Sequence, residues 1–364
     1  VFALFSHVFG DPLLAALGAL LFAVHPVQVE SVAWISERKN LLFAFCVLGG
    51  TWAFVRRRED EPPWKSYTLS ALWLLGALLS KVTAVMMPFI LLAHGYFFRA
   101  RTTPLPSNRA WWYGGMLAAV LIAGALTLSL YPDILKGYSA NPVVDFIWLP
   151  LYRYAVYVKH ILWPAGLSLF YPLPPDPRNV PGLLVKLTLL GVAIAAAVGS
   201  SVFLKPRAGF WLAWFLIWLA PVSTLLPVPI ADHHLYLPVA GAVGLVLSTL
   251  QRFRGLALAA LVLSTAACFP FSAARLMSWR TSETLWRSEL ERNPKEYRAL
   301  LHLANHYADS GKAEDAAEAY EKLQGKAHDQ EMATEKIKHE IDMAKAEITN
   351  KEAEIKRQEE MQEK

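Results

Sequence analysis

Histidines, cations and carboxylates gather at a few breaks in an otherwise apolar chain. His25, Glu30, Glu37, Arg38 and Lys39 fall between the first long apolar runs, Lys81 stands in a tight turn between two more, and Lys159-His160 and Asp232-His233-His234 with Tyr236 follow. Cations of this kind hold a phosphate leaving group through charge-assisted bonds, and a nearby carboxylate deprotonates an incoming hydroxyl. A metal is not expected, because adjacent histidines on an extended segment point opposite ways and no third His or Cys follows at ligand spacing. His25 to Glu30 also misses the His-Glu-x-x-His spacing of zinc proteases. Plainer uses stand beside these: Arg38, Lys39 and Lys159 as interfacial anchors, and His25 before Pro26 as a hydrogen bond that stops a helix.

The elements that carry these residues are apolar helices. The 364 residues are 55% hydrophobic and 18% charged, with a mean hydropathy of +0.31, which is too apolar for an average soluble domain. An all-α, polytopic membrane helix bundle is expected, with apolar runs at 12–24, 41–55, 67–79, 82–98, 110–130, 183–204, 210–228, 236–250 and 255–271. Thirteen Trp and thirteen Tyr suit two membrane interfaces. The net charge is +5, but residues 329–364 hold 7 basic and 11 acidic residues, leaving 28 against 19 elsewhere. That excess belongs to membrane loops, so no nucleic-acid partner is expected. Cys46 and Cys268 lie inside apolar runs and read as buried filler. Val1 opens within an apolar stretch with no Met, so a preceding segment is expected.

A charge at the bilayer centre costs roughly 2.5 to 3.5 kcal/mol, so Arg56-Arg57-Arg58, Arg99/Arg101, Lys205/Arg207 and Arg252/Arg254 must be loops. Placing these inside, with Lys65 and Arg109, sets 11 Lys/Arg there against 7 outside: Arg38, Lys39, Lys81, Lys136, Arg153, Lys159 and Arg178. The chemistry-bearing groups then all face outward. A full crossing by 146–163 would swap every later loop, so this segment is expected as an amphipathic helix lying on the outer surface or dipping into it, within a long outer loop spanning 131–182. An ordinary spanning helix with snorkelling Arg and Lys is the alternative.

From Ser282 the composition turns polar. Ala304, Tyr307, Ala316 and Tyr320 occupy positions 8, 11, 20 and 24 of a 34-residue tetratricopeptide repeat, and one period after Pro294 falls on His328. Such a unit must stack on something to bury its face. The tail has no Gly or Pro, and Ile337, Ile341, Ala344, Ile348 and Ile355 form a weak seam with Lys351 in the missing slot, as in a solvated helix or coiled coil. The expected domains are 1–281, 282–328 and 329–364.

His25-Pro26-Val27-Gln28-Val29-Glu30-Ser31-Val32 with Arg38 resembles the His-Pro-x-x-x-Glu-Ser/Ala-Val…Arg signature of bacterial relatives of the transmembrane and tetratricopeptide-repeat O-mannosyltransferases, in glycosyltransferase superfamily C. Leu79-Ser80-Lys81 resembles the family's Ala-Lys-Pro turn, and Trp163-Pro164-Ala165-Gly166-Leu167 with Phe170-Tyr171-Pro172 its Trp-Pro-x-x-Leu…Phe-Tyr-Pro loop. Ala231 to Pro238 resembles its Asp/Glu-Arg-Tyr-x-Tyr-Leu-Pro segment, and Ser282-Glu283-Thr284-Leu285-Trp286 leads into the repeats as it does there. The resemblance runs from about 1 to 328.

It departs at three places. His233-His234 stands where the family has Arg-Tyr, so a fixed cation has become titratable. Val82 replaces the Pro of the Lys turn. The superfamily's catalytic carboxylate lies in a first outer loop, which would precede Val1, so the catalytic Asp is expected upstream and the chain N-terminally incomplete.

The resemblance implies transfer of a sugar from a polyprenyl-phosphate donor to a hydroxyl, Ser/Thr of a protein among the acceptors, at a bacterial inner membrane with the repeats on the periplasmic side. It implies a lipid-phosphate site drawn from His25, Glu30, Arg38, Lys81, Lys159, Asp232, His233, His234 and Tyr236, with Glu30 ordering the first loop. Membrane lipid, the lipid-linked sugar and a protein or peptide held by the repeats are the expected partners, and whether a divalent cation assists stays open. The rival reading is a non-enzymatic, membrane-anchored repeat scaffold.

Overall fold

The computed structural model describes residues 1–57, 62–98, 148–171, 206–225 and 228–329, with isolated positions between 114 and 129 and at 191, 199 and 357. The expected runs at 110–130 and 183–204, the basic groups at 99, 101, 136, 178 and 205, and the coiled tail beyond 329 lie largely or wholly outside the described residues.

The described residues form helices and no strands. They are α1 (Phe2–Phe9), α2 (Pro12–Val24), α3 (Gln28–Ala33), α4 (Arg38–Val55), α5 (Pro63–Ser80), α6 (Met87–Phe98), α7 (Leu149–Leu162), α8 (Pro206–Ala220), α9 (Pro238–Leu250), α10 (Arg254–Ser278), α11 (Ser282–Arg292), α12 (Tyr297–Asp309) and α13 (Ala313–Asp329). Two compact units result: Val1–Leu167 with Tyr171–Ala273, and Ser168–Phe170 with Ala274–Lys364.

Local chemistry sets the breaks in the first unit. Gly10 takes a left-handed φ of 70° to end α1, and Asp11 then caps α2, accepting from Leu13 N at 3.0 Å and Leu14 N at 3.2 Å. His25 leaves α2 in an extended conformation, as a residue before proline must. Lys81 is likewise extended, a one-residue break between α5 and a 3-10 turn, Val82–Met86. The run beginning at Val82 is therefore two elements, with Lys81 aimed from the joint.

The core is built on close helix approach. Trp211, Trp214 and Trp218 recur along the buried face of α8, and α9 lies against them through Gly241 and Gly244. A Cβ on Gly241 would stand 2.7 Å from Phe215 N and 2.9 Å from Trp211 O, both backbone atoms. Phe5 of α1 meets Trp211 edge-on, with centroids 5.0 Å apart. Similarly, Gly49 and Gly50 of α4 bring Trp73 of α5 to about 3 Å from where a Cβ would sit.

α8 ends in a π-helical turn, Pro221–Leu225. The buried Arg153 guanidinium donates there to the carbonyls of Val222 at 3.0 Å, Ser223 at 3.4 Å and Val228 at 2.5 Å. On α7, Arg153, Tyr157 and His160 share one buried face, so its polar stripe turns toward protein and not toward water. The carbonyls freed where α8 loses its regular ladder attract it.

Among the described residues α10 is the helix long and apolar enough to cross a membrane; Pro12–Val24, Val82–Phe98 and Pro238–Leu250 are apolar but shorter. Large apolar side chains are exposed on several helices of this unit, including Leu42, Phe45, Leu72, Leu75, Leu263 and Phe269.

In the second unit, a capping box between Thr281 and Thr284 starts α11. α12 and α13 form a hairpin across Gly311, at φ 72°, with Ala304, Tyr307, Ala316 and Tyr320 buried between them. Glu289 of α11, 1% exposed, accepts from Ser168 Oγ and from Leu169 N at 3.0 Å, and Arg298 lies 4.0 Å over the Phe170 ring.

Gly241→Ala should lower the thermal midpoint in detergent, because overpacking against backbone costs about 1 to 3 kcal/mol. Gly255→Ala, whose Cβ meets nothing within 4 Å, should be neutral or slightly stabilising. Equal midpoints for the two variants would contradict the close α8–α9 approach.

Candidate functional site

The polar groups of the first unit converge on a 3-10 turn, Asp232–Leu235, that leads into α9. The sequence expectation of an extended segment here is corrected: in a 3-10 helix successive side chains fan out roughly 120° apart. Each therefore meets a different neighbour.

Asp232, fully buried, accepts from Tyr171 OH at 2.7 Å, and His160 Nδ1 lies 3.3 Å from the same oxygen. His233 Nδ1 is 2.5 Å from Oε1 of Glu30, itself 1% exposed. His234 Nδ1 meets Tyr157 OH at 2.9 Å. Burial, followed by the neighbouring charges of His233, Lys81 and Arg153, holds the His234 pKa well below its usual value. The Tyr236 carbonyl accepts from Gln28 Nε2 at 3.3 Å, while its ring packs edge-on against Phe22.

Asn40, in the first turn of α4 and 2% exposed, ties these parts together. Its Nδ2 donates to Ser31 Oγ at 3.1 Å and to the His233 carbonyl at 3.0 Å, and its Oδ1 accepts from Lys81 Nζ at 3.0 Å. One amide thus joins α3, the 232–235 turn and the Lys81 break. Burial pushes the Lys81 pKa down; Glu37 and Glu30 oppose this, and Lys39 adds to it. A cavity of about 20 Å³ lies among Asn40, Lys81, Thr83, His233, His234 and Trp218, room for a single water-sized oxygen.

His25 is occupied elsewhere. Its Nδ1 accepts from Val27 N at 3.4 Å, which leaves the proton on Nε2 to donate to the Ile161 carbonyl at 3.0 Å. This is the neutral ring, and burial pushes its pKa down, against the Ile161 bond and the charge of Asp232. It pins the end of α2 to α7.

Of the residues named from sequence, Glu30, Lys81, Asp232, His233, His234 and Tyr236 are brought together. Arg38 and Lys159 are exposed, and Arg38 Nε donates to the Ile35 carbonyl at 3.1 Å. Asn40, Tyr157 and Tyr171 were not anticipated. Tyr157 was accessible through its spacing from Arg153 and His160, but Asn40 carried no more signal than an amide beside a cationic pair.

The chain is 24% identical over a 369-residue alignment to Protein O-mannosyl-transferase Tmtc3 of Drosophila melanogaster, covering 83% of this chain and 39% of that protein. The chain thus spans about two fifths of the curated relative it matches. This supports a relationship to the O-mannosyltransferase family and a glycosyltransferase-like function. No family profile matches the chain, and no solved structure does.

The lowered pKa of His25 gives a stability prediction. The unfolded imidazole takes up a proton near pH 6.5, while the folded one resists it, so this contribution is complete above pH 6.5 and lost as pH falls below it. The thermal midpoint of His25→Gln should therefore fall less steeply than wild type between pH 6.5 and 5. Parallel curves would show that His25 does not fold neutral.

Proposed function

We propose that the first unit is a membrane-embedded transfer domain that moves a sugar from a polyprenyl-phosphate donor to a hydroxyl acceptor, protein Ser or Thr among them. The observation that carries this reading is Lys81. It is a cation with its pKa lowered by burial, set at a helix break with Asn40 as its bonded partner among the described residues. An ammonium held by one neutral amide keeps two donors for an anion, and an anionic ligand relieves the cost of burying its charge. The similarity to an O-mannosyl-transferase supports the sugar chemistry. The Leu and Phe side chains exposed on several helices support a polytopic bundle in a lipid bilayer.

In this reading the bilayer is a bacterial inner membrane, Arg38 and Lys159 sit at its outer interface as anchors and outlying cations, and the second unit lies on the periplasmic side. A groove of about 550 Å³ in that unit, with Leu290, Leu300, Leu303 and Tyr307 at its base and Arg287 and Glu318 at its rim, suits an extended peptide. That peptide would be the acceptor or a protein partner.

Lys81→Met should weaken binding of a polyprenyl phosphate at least tenfold, since a hydrogen bond to a charged group contributes about 1.5 to 3 kcal/mol. Unchanged affinity in a folded variant would reduce Lys81 to a structural group and remove the main support for the reading. For orientation, a cysteine at 159 should react with an impermeant thiol reagent from outside and one at 254 should not. The reverse pattern would overturn the assigned sidedness.

A further inference from the structure

A second opening in the first unit takes no part in the network around Asp232–Leu235. It is a groove of about 310 Å³ between α2, the end of α7, α9 and α10, a volume within the range of small-ligand sites. None of the residues in its wall lines the cavity beside Lys81. Two ties between α10 and the ends of α2 frame it. Arg254 Nε donates to Asp11 Oδ2 at 2.6 Å at one end, and Ser272 Oγ donates to the Val24 carbonyl at the other. Between them the groove follows α9, whose Val239, Ala242, Val243 and Val246 line it at the i, i+3, i+4 and i+7 positions of one stripe.

The chemistry of the wall selects a hydrocarbon chain. His25 belongs to it, but both ring nitrogens are bonded within the chain, to Val27 N and the Ile161 carbonyl, so the ring asks for no polar ligand. A sugar or a peptide backbone would leave hydroxyls or amides without partners there. Val246 is both exposed and part of the wall, so the groove is continuous with the outer apolar surface. Its depth is that of one leaflet. The wall runs from Ala260 to Phe271 on α10 and from Val239 to Val246 on α9, about 16 and 10 Å at 1.5 Å per residue, against a hydrocarbon core of about 30 Å.

Lys159 marks the end where a headgroup would lie. The Trp163 amide closes a helical turn on the Lys159 carbonyl at 2.7 Å, so Lys159 shares one side of α7 with Leu162 and Trp163. Those two are exposed and line the groove. The Lys159 side chain is also exposed, and its ammonium has no ion-pair partner among the described residues. An indole at headgroup level beside an ammonium that reaches for phosphate is the composition of a membrane interface. We propose that the groove holds one acyl chain of an outer-leaflet phospholipid with an anionic headgroup, its phosphate on Lys159, as a bound lipid wedged between α10 and α9. The inference rests on the bilayer placement and sidedness proposed above and not on sugar transfer. Polyprenyl phosphate, seated on Lys81 in that reading, uses a cavity with no wall in common with the groove.

Photocrosslinking of the full chain in phosphatidylcholine nanodiscs tests this, with a trace of phosphatidylglycerol that carries a diazirine at the end of one acyl chain. Mass spectrometry should place adducts deep in the wall, at Val246, Ala260 and Leu261. Ala267→Trp, at an exposed position in the wall, fills the slot and should remove those adducts. Ala259→Trp, equally exposed on α10 but outside the wall, should keep them. Lys159→Met should lower their yield about fivefold, the effect of one interfacial cation on an anionic lipid. Excess unlabelled polyprenyl phosphate should leave them in place. Adducts on the exposed Leu42, Phe45 and Leu72 with the groove unlabelled, or groove adducts that survive Ala267→Trp, would overturn the bound lipid while the bilayer placement stands. Displacement by polyprenyl phosphate would give the groove to that lipid and overturn the phospholipid assignment. No adduct anywhere on the first unit would refute the bilayer placement, and the inference with it.

Discussion

Each polar atom sealed into the first unit needs a partner, because a buried donor or acceptor left unmade costs about 1 to 3 kcal/mol. The turn at Asp232–Leu235 meets that demand in three directions. Its tight winding sends Asp232 to Tyr171, His233 to Glu30 and His234 to Tyr157, so α3, α7 and the segment at Tyr171 are all held from one short element. Asn40 completes the arrangement because an amide both donates and accepts. It gives two hydrogens to Ser31 and the His233 carbonyl and takes one from Lys81. Aspartate or leucine of similar size could do only part of this.

The same economy explains why much of the site was legible in the sequence. In a chain this apolar, charge and imidazole are expensive inside helices, so Glu30, Lys81, Asp232 and His233 stand out where the runs break. Two features escaped that reasoning. α4 begins at Arg38, ahead of the apolar run, which turns Arg38 and Lys39 outward and Asn40 inward; composition alone does not show which of three consecutive polar residues faces the core. The helical spacing of Arg153, Tyr157 and His160 was visible, but which side the stripe faces depends on the carbonyls released at the π-helical turn, which lies more than sixty residues away in sequence. The tight winding of Asp232–Leu235 likewise has no local signature. Arg38 and Lys159 show the opposite limit: cationic like Lys81, they are placed at the surface.

The outer face of the first unit complements its interior. Phe45, Leu72, Leu75 and Leu263 are exposed, while glutamate, aspartate and asparagine are enclosed. The enclosed polar groups sit within an otherwise apolar core of Trp, Phe, Leu and Val side chains. The glycines at the α8–α9 and α4–α5 contacts let those helices approach closely, because a Cβ there would meet neighbouring atoms at about 3 Å or less.

The account depends on Asn40 coupling the Lys81 ammonium to the histidine turn as one unit. A double-mutant cycle on unfolding free energy tests this directly, with Asn40→Leu, Lys81→Met and the pair. Asn40→Leu alone strands both a half-buried cation and the His233 carbonyl, but in a Lys81→Met background only the carbonyl is stranded. The pair should therefore cost less than the sum of the single changes, by about 0.5 to 3 kcal/mol. Additivity within about 0.5 kcal/mol would mean that Asn40 and Lys81 act independently, and the network would not exist as described.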